Sequence, residues 1–405
     1  MCGIAGQITL NSSGISDLGQ RLNVMSELLS HRGPDGKGVW TTKKQKVGFA
    51  HRRLSIIDIA ETASQPMQGA NGNVITYNGE IYNYTELCES LSSHYSFRTR
   101  SDTECILAAY EHYGDECLSH FRGMFAFALW DEHKQRLFCG RDRFGIKPFY
   151  YTIVNNIFYF ASEIKALLPF VEEIQTDTDS LNDYLTFQFT LGEKTLFRGI
   201  KKLEPGHTLT IENSQISVKK YWEVYYNLDF NRSESYFTEE IRELMNESIS
   251  LHLRSDVPVG AYVSGGRDSG IIAALASKIE TSDFKGFTGK FTYGEGYDES
   301  MYARDLSNQN SFDLYELDIQ SGDFISSIEK IIYYLDEPVA GPGSFPQYQI
   351  SNLASQHRKV VLGGQGGDEI FGGYARYLIA YFEQCIKGAI DGTLNSGNFV
   401  VTYES

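Results

Sequence analysis

The sequence predicts two folds in series: an α+β domain of antiparallel sheets, followed by an α/β domain built on a parallel sheet. Three observations lead there. A chain of 405 residues exceeds one ordinary core. Its first half is dominated by hairpin signals, and from Val257 onward strand-like and helix-like segments alternate strictly.

In the first half, Val47–Asp58 (VGFAHRRLSIID) reads as an extended segment, and Asn73–Tyr77 runs into Asn78-Gly79, a tight-turn dipeptide. Helices are expected at Tyr84–Leu91 and Asp102–Tyr113. Met124–Trp130 (MFAFALW), a charged turn at Asp131–Arg136 and Leu137–Gly140 make one hairpin. Phe149–Ile153 and Ile157–Ala161 make a second around Asn155-Asn156; His207–Ile211 and Ile216–Tyr221 make a third around Glu212-Asn213. Asn227–Ser235 (NLDFNRSES) is polar and turn-rich, as a linker would be. An amphipathic helix follows, with Ile241, Leu244, Met245 and Ile249 on one face.

Strands are then expected at Val257–Val263, Phe284–Thr292, Phe312–Ile319 and Lys359–Leu362. Helices are expected at Ser269–Ile279, Glu299–Asn308 and Phe324–Leu335. That order builds a parallel sheet covered on both faces. Residues 2–210 thus form the first domain, 211–235 its last hairpin and a linker, and 236–405 the second domain.

Composition narrows the function. A hydrophobic share of 41% with 22% charged residues marks a globular chain. The net charge of −16 disfavours a nucleic-acid surface, which needs clustered cations. No window approaches the roughly 20 apolar residues of a membrane span. Nor does a basic stretch followed by an apolar run open the chain, so a cytoplasmic enzyme is expected. The six cysteines (Cys2, Cys88, Cys105, Cys117, Cys139, Cys385) form no CxxC pair, which leaves neither a zinc knuckle nor a disulfide framework to read.

Cys2 stands apart because of its position. Gly3 and Ile4 follow it, and removal of Met1 would leave a thiol and a free α-amine on one residue. Their reference pKa values, near 8.5 and 7.7–8.0, let the amine act as base for its own thiol. In the second half, Ser264-Gly265-Gly266-Arg267-Asp268-Ser269 lies between an expected strand and an expected helix. Glycines there admit an anion to backbone N–H groups at a helix N-terminus. The segment is not a Walker loop, since it lacks the GK[ST] ending.

The ordered blocks MCGIAG, HRGPDG (His31–Gly36), HRRLSIID (His51–Asp58), YNGEIYNY (Tyr77–Tyr84), SDTE (Ser101–Glu104), GMFAFALWD (Gly123–Asp131) and GRDRFGIKPFYY (Gly140–Tyr151) resemble the class II glutamine amidotransferase domain over about residues 1–210. The SGGRDS loop, GYDESMYAR (Gly296–Arg304), LDEP (Leu335–Pro338) and GQGGDEIFGGY (Gly364–Tyr374) resemble the ATP-pyrophosphatase domain of asparagine synthetases. The resemblance implies an N-terminal nucleophile-type sandwich followed by an ATP-pyrophosphatase sheet.

It also implies roles. Cys2 would be the nucleophile that releases ammonia from glutamine, with Asn78 and Gly79 as oxyanion donors. Arg53 would clamp the glutamine α-carboxylate, and Glu80 and Asp102 would read its α-amine. ATP would lie against Ser264, Gly265, Gly266, Asp268, Ser269, Gly289, Gly363 and Gly364. Gln365, Asp368 and Glu369 would line the adenylate site, with Asp268 and Asp368 on Mg2+. The implied partners are glutamine, aspartate and ATP; the resemblance allows a homodimer and involves neither nucleic acid nor membrane.

The second domain departs from the family pattern at five places. Gly363 stands where serine is common, Gln365 where glutamate is common, and Arg267 where an apolar residue is usual. Gly270 replaces a second serine, and Gly341-Pro342-Gly343 replaces Asp-Pro-Ser. These changes leave ATP binding expected but the accepting carboxylate open: aspartate, or another acid. The family also continues past the acidic loop with a helical region that supplies a catalytic lysine. This chain stops at Ser405 after NFVVTYES, and no lysine here takes that role. A truncated product is therefore expected, hydrolysing glutamine without completing the amide. The apolar residues Ile370, Phe371, Leu378, Ile379, Tyr381 and Phe382 are expected to be exposed in it.

Overall fold

A computed structural model describes residues 1–280, 283–292, 296–339 and 341–391. The terminal NFVVTYES segment lies outside the described residues. In chain order the elements are β1 (Gly3–Thr9), α1 (Leu18–Leu28), β2 (Gly36–Thr41), β3 (Val47–Arg53), β4 (Met67–Gln68), β5 (Val74–Ile81), α2 (Tyr84–Leu91), α3 (Asp102–Tyr113), β6 (Gly123–Asp131), β7 (Arg136–Arg141), β8 (Tyr150–Val154), β9 (Ile157–Ala161), α4 (Thr178–Phe187), β10 (Lys201–Lys202), β11 (His207–Glu212) and β12 (Gln215–Lys220). They continue as α5 (Glu234–His252), β13 (Val259–Tyr262), α6 (Arg267–Ile279), β14 (Lys285–Lys290), α7 (Ser300–Asn310), β15 (Asp313–Asp318), α8 (Ser321–Leu335), α9 (Ser344–Ser355), β16 (Val360–Leu362), α10 (Gly367–Phe371) and α11 (Ala375–Ile390). The chain divides into two compact units: Met1–Pro258 with Gln320–Gln349, and Val259–Ile319 with Ile350–Ser405.

The first unit is a sandwich of two antiparallel sheets, ordered β10-β8-β9-β1-β3-β2 and β12-β11-β7-β6-β5-β4. Strand alternation explains its layers. Ile4, Ile8 and Phe49 of one sheet meet Val74, Ala126, Ala128 and Trp130 of the other in the central core. Their neighbours face outward: Ala5 and Ala50 pack under α1, while Ile75, Tyr77, Phe125 and Phe127 pack under α2 and α3. The layers therefore run helix, sheet, sheet, helix. Asn78 shares its face with Val74 and Thr76, so alternation aims it between the sheets, as it does His51, whose Nδ1 lies 3.1 Å from Thr76 Oγ1.

One expected turn is corrected here. Asn78-Gly79 does not turn the chain; both residues lie inside β5, opposite Ala126 and Phe125 of β6. Cross-strand pairing over eight positions overrides the local preference of the dipeptide. The third hairpin turns one residue later than expected: Asn213 and Ser214 take the left-handed conformation, φ 50° and 63°. The α5 face also differs, for Ile249 is buried whereas Ile241 and Leu244 are exposed.

The second unit carries a parallel sheet in the order β15-β14-β13-β16. Phe287, fully buried in β14, and Ala261 of β13 sit in its core. The six apolar residues expected to be exposed on α10 and α11 are exposed, Ile370 most at 73%. Among the described residues no helix is long and apolar enough to cross a membrane.

Candidate functional site

In the first unit, Cys2 immediately precedes β1, and its thiol rests on the chain leaving β3, with Leu54 N–H donating to Sγ at 3.4 Å. Arg32 Nε donates to the Cys2 carbonyl at 2.9 Å. Burial raises the Cys2 thiol above its ordinary pKa, and the charges of Glu80 and Asp102 push it the same way; the Leu54 N–H and the terminal amine oppose them. Burial also lowers the amine of Met1 to about 5, assisted by the positive charges of Arg32 and Lys147. The side chain of Met1 is half exposed while its amine is covered. This amine belongs to Met1 and is not the α-amine that removal of Met1 would leave on Cys2.

Asn78 is almost fully buried, and its Nδ2 has no hydrogen-bond partner among the described residues. A buried donor left unmade is costly, and such donors are where a substrate oxygen is received. Gly79 is fixed by packing rather than by turn geometry. A Cβ there would lie 2.7 Å from Tyr77 Cε2 and 2.8 Å from Phe125 Cα, with Met124 O closer still.

Asp102 begins α3. Ser101 caps that helix by accepting from Thr103 N–H, and Glu104 accepts from the backbone of Arg98 and Thr99, fixing the approach. Asp102 itself accepts from Tyr77 OH at 2.8 Å and Ile81 N–H at 3.1 Å. Burial pushes its carboxyl up to about 6, against those bonds. Burial and the neighbouring Asp102 also raise Glu80 well above the carboxylate range. Arg53, 9% exposed, is held by the carbonyls of Ile57, Asp58 and Ala60, which set its guanidinium at the end of β3.

Sequence reasoning did not single out three residues in this neighbourhood. Arg32, inside HRGPDG, has a buried Nη2 with no partner among the described residues. Lys147, inside GRDRFGIKPFYY, is 5% exposed, and burial lowers it to about 8. Asp142 shapes the loop that delivers Lys147 by accepting from the backbone of Phe125, Phe144, Ile146 and Lys147. No local pattern marks them, for HRGPDG is polar and a charge in a sequence reads as surface.

The second unit places its candidates on two loops at the ends of β13 and β16. Gly265 takes φ +91°, where a Cβ would lie 2.7 Å from Glu299 O. Ser264 and Ser269 close the loop through their hydroxyls at 2.9 Å, and Ser264 N–H donates to Ser269 Oγ at 3.1 Å. Gly266 caps α6, leaving its first N–H groups at the loop mouth. The acidic loop packs directly on this one: a Cβ on Gly364 would lie 2.7 Å from Ser269 N, and one on Gly367 would strike the Asp268 carboxylate. Asp368 and Glu369 occupy the first turn of α10, with Glu369 accepting from Tyr374 OH at 3.0 Å. Gly289 sits apart in β14, where the Cβ direction is filled by Ile319 and Ile350.

Among the described residues no group of three or more His, Cys, Asp or Glu side chains could hold a metal by itself. The loops bring Asp268 against the residue preceding Asp368. Magnesium characteristically takes one or two carboxylates plus phosphate oxygens, and this donor set fits that habit.

Residues 1–222 match the glutamine amidotransferase domain family, and residues 240–401 match the asparagine synthase family. "Asparagine synthetase [glutamine-hydrolyzing] 1" of Bacillus subtilis is 38% identical over 93% of this chain and 59% of its own length. "Putative asparagine synthetase [glutamine-hydrolyzing] 2" of Methanocaldococcus jannaschii is 35% identical over 94% of this chain and 77% of its own. The chain belongs to the glutamine-hydrolysing asparagine synthetase family. It spans about three fifths of the Bacillus relative's length. "Amidase chry2" of Gibberella zeae is 35% identical over 92% of this chain and 59% of its own. Both halves of the family pattern are therefore present here, and each site described above falls inside its matching half.

Proposed function

We propose that the chain is the glutaminase and nucleotide-binding part of a glutamine-dependent amidotransferase. With Met1 removed, Cys2 attacks the glutamine side-chain amide carbon, and its own α-amine takes the thiol proton and passes it to the leaving nitrogen. Ammonia departs, a thioester remains, and water releases glutamate. Asn78 Nδ2 and the Gly79 N–H receive the developing oxyanion; Arg53 holds the α-carboxylate, and Glu80 with Asp102 holds the α-amine. The observation that carries this reading is the buried Asn78 Nδ2, which has no partner among the described residues, a costly donor that a bound oxygen would satisfy.

In the second unit, Ser264, Gly265, Gly266, Asp268, Ser269, Gly363 and Gly364 bind ATP, with Asp268 and Asp368 holding Mg2+, which would supply charge neutralisation at the phosphates. Gln365 and Glu369 flank the carboxylate to be adenylated. In the whole amidotransferase that carboxylate is the side chain of aspartate: AMP is transferred to it, pyrophosphate leaves, and ammonia displaces AMP to give asparagine. A different accepting acid is favoured by one specific pair of facts. Gly363 and Gln365 depart from the family pattern, and a relative of similar identity bears the name of an amidase rather than a synthetase.

The test measures ammonia release from glutamine and carboxylate-dependent pyrophosphate exchange. Cys2→Ala is expected to lower glutamine hydrolysis by at least about 10³-fold, and its persistence would overturn the nucleophile assignment. Exchange with another acid and not with aspartate would select the second reading.

A further inference from the structure

The segment Gln320–Gln349 belongs by sequence to the asparagine synthase match yet packs within the first unit. Its LDEP motif ends α8, and Asp336 holds the left-handed conformation there, φ 65°. The Asp336 carboxylate accepts from Ile164 N–H at 2.6 Å and from Lys165 N–H at 3.3 Å. It also pairs with Lys165 Nζ at 2.9 Å. Lys165 in turn bonds Glu163 Oε2, and the other oxygen, Oε1, takes Arg32 Nη1 at 2.7 Å and His31 Nε2 at 2.9 Å. Arg32 reaches the Cys2 carbonyl. The side chains of Arg32, Glu163, Lys165 and Asp336 are all less than a tenth exposed.

We propose that Asp336, through Lys165 and Glu163, is a positioning residue for Arg32 and hence for Cys2, so that the LDEP segment sets the competence of the glutaminase nucleophile. The proposal rests on the reading of Cys2 given above. Three facts favour it over a purely structural role. Two carboxylates and two cations balance in a buried row, an arrangement that well-packed apolar residues commonly replace without loss of stability. Glu163 divides its two oxygens between Lys165 on one side and Arg32 with His31 on the other, and Asp336 closes the far end on Ile164 and Lys165, so the row has a direction and ends on the nucleophile's own backbone. α8 further braces it with rings: the Tyr333 ring centre lies 5.0 Å from Lys165 Nζ, and the Tyr334 ring lies tilted at 48° against His31 with centroids 4.8 Å apart. The glutamine clamp residues Arg53 and Asp102 bond to other groups, so the row bears on the nucleophile without touching the clamp.

The experiment compares the unaltered chain with Lys165→Arg and with the charge-balanced pair Lys165→Met plus Asp336→Asn. It reads glutaminase kcat and KM, thermal unfolding, and the iodoacetamide alkylation rate at Cys2 with Cys385 as internal reference. The balanced pair is expected to lose on the order of tenfold to a hundredfold in kcat, with KM for glutamine within about twofold and unfolding still cooperative. Lys165→Arg keeps the charge and is expected to recover most of the rate. Unchanged kcat and unchanged Cys2 alkylation, even with lowered thermal stability, would overturn the proposal. If the unaltered chain hydrolyses no glutamine, the proposed function fails, and the alkylation rate decides the row alone. An altered rate at Cys2 but not at Cys385 supports it; equal rates sink it.

Discussion

The two candidate sites are built by opposite means. Around Cys2, strand pairing and burial hold charged and polar groups away from water, and the consequences show in displaced pKa values and an unpaired amide donor. At the SGGRDS loop, backbone turns do the work: Ser264 and Gly266 are exposed, and Gln365 and Glu369 face solvent. A site made by burial is costly before any ligand arrives, and that cost can be found in the free chain. A site made by glycine turns is inexpensive, and its purpose emerges only with phosphate present.

If the contrast holds, acid should destabilise the first unit through its buried groups. Burial, with the Arg53 charge second, lowers His51 to about 3, against near 6.5 when unfolded. Between those values the unfolded chain binds more protons, so stability falls as pH drops from about 6.5 to about 3, by up to about 5 kcal/mol. Glu163 adds to the loss lower down. Burial pushes its carboxyl up, but bonds from His31, Arg32 and Lys165 outweigh that and hold it at about 2. Its contribution is complete above its unfolded value, near 4.3, and fades as pH falls toward 2. Asp102, Glu80 and Asp336, all raised by burial, take up protons more readily folded than unfolded and offset part of this. Unfolding midpoints across pH would show it, and His51→Gln should flatten the upper part of the curve.

Next in size is Gly79→Ala. The added methyl meets the β6 backbone and Tyr77, so a loss above about 3 kcal/mol is expected by thermal or urea unfolding. Asn78→Ala should leave the fold intact and lower glutaminase kcat by about 10²–10³-fold, as loss of one oxyanion donor does. A variant that mainly raised KM would reassign Asn78 to substrate binding. In the second unit, Gly265→Ala should weaken ATP about tenfold or more, because φ +91° and the Glu299 carbonyl both exclude a side chain. Calorimetry showing unchanged affinity would reduce the loop to a turn.

Sequence periodicity located α2, α3 and β9 to the residue, because their apolar spacing and bounding turns agreed with the final packing. It failed at Asn78-Gly79, where the local turn signal was real but the partners Ala126 and Phe125, on a strand distant in sequence, were invisible. Arg32 and Lys147 were missed for a related reason. Their importance comes from what burial places beside them, and charge alone in a sequence looks like surface. The placement of Asp336 depended on α8 packing within the first unit, which no local pattern encodes. The glycine loop of the second unit, by contrast, was legible because strand, glycines and helix are contiguous in the chain.

The smallest effect sharpens the comparison most. At Gly363, as at Gly79, an added Cβ would overlap an oxygen: Gln365 Oε1 in one case, Met124 O in the other. Geometry alone would give the two substitutions equal cost. The oxygens differ in what must move to relieve the clash. Met124 O belongs to a strand paired along its length, and displacing it disturbs the β5–β6 ladder. Gln365 Oε1 is the far end of an exposed side chain that can turn to another rotamer. Gly363→Ser should therefore cost less than about 1 kcal/mol in thermal unfolding. Because a side chain at 363 meets residue 365, Gly363→Ser combined with Gln365→Glu should depart from the additive sum by about 0.5 kcal/mol or more. A loss at Gly363 as large as that at Gly79 would show that the second unit's loop is as tightly built as the first unit's strands, and the contrast between the two sites would fall.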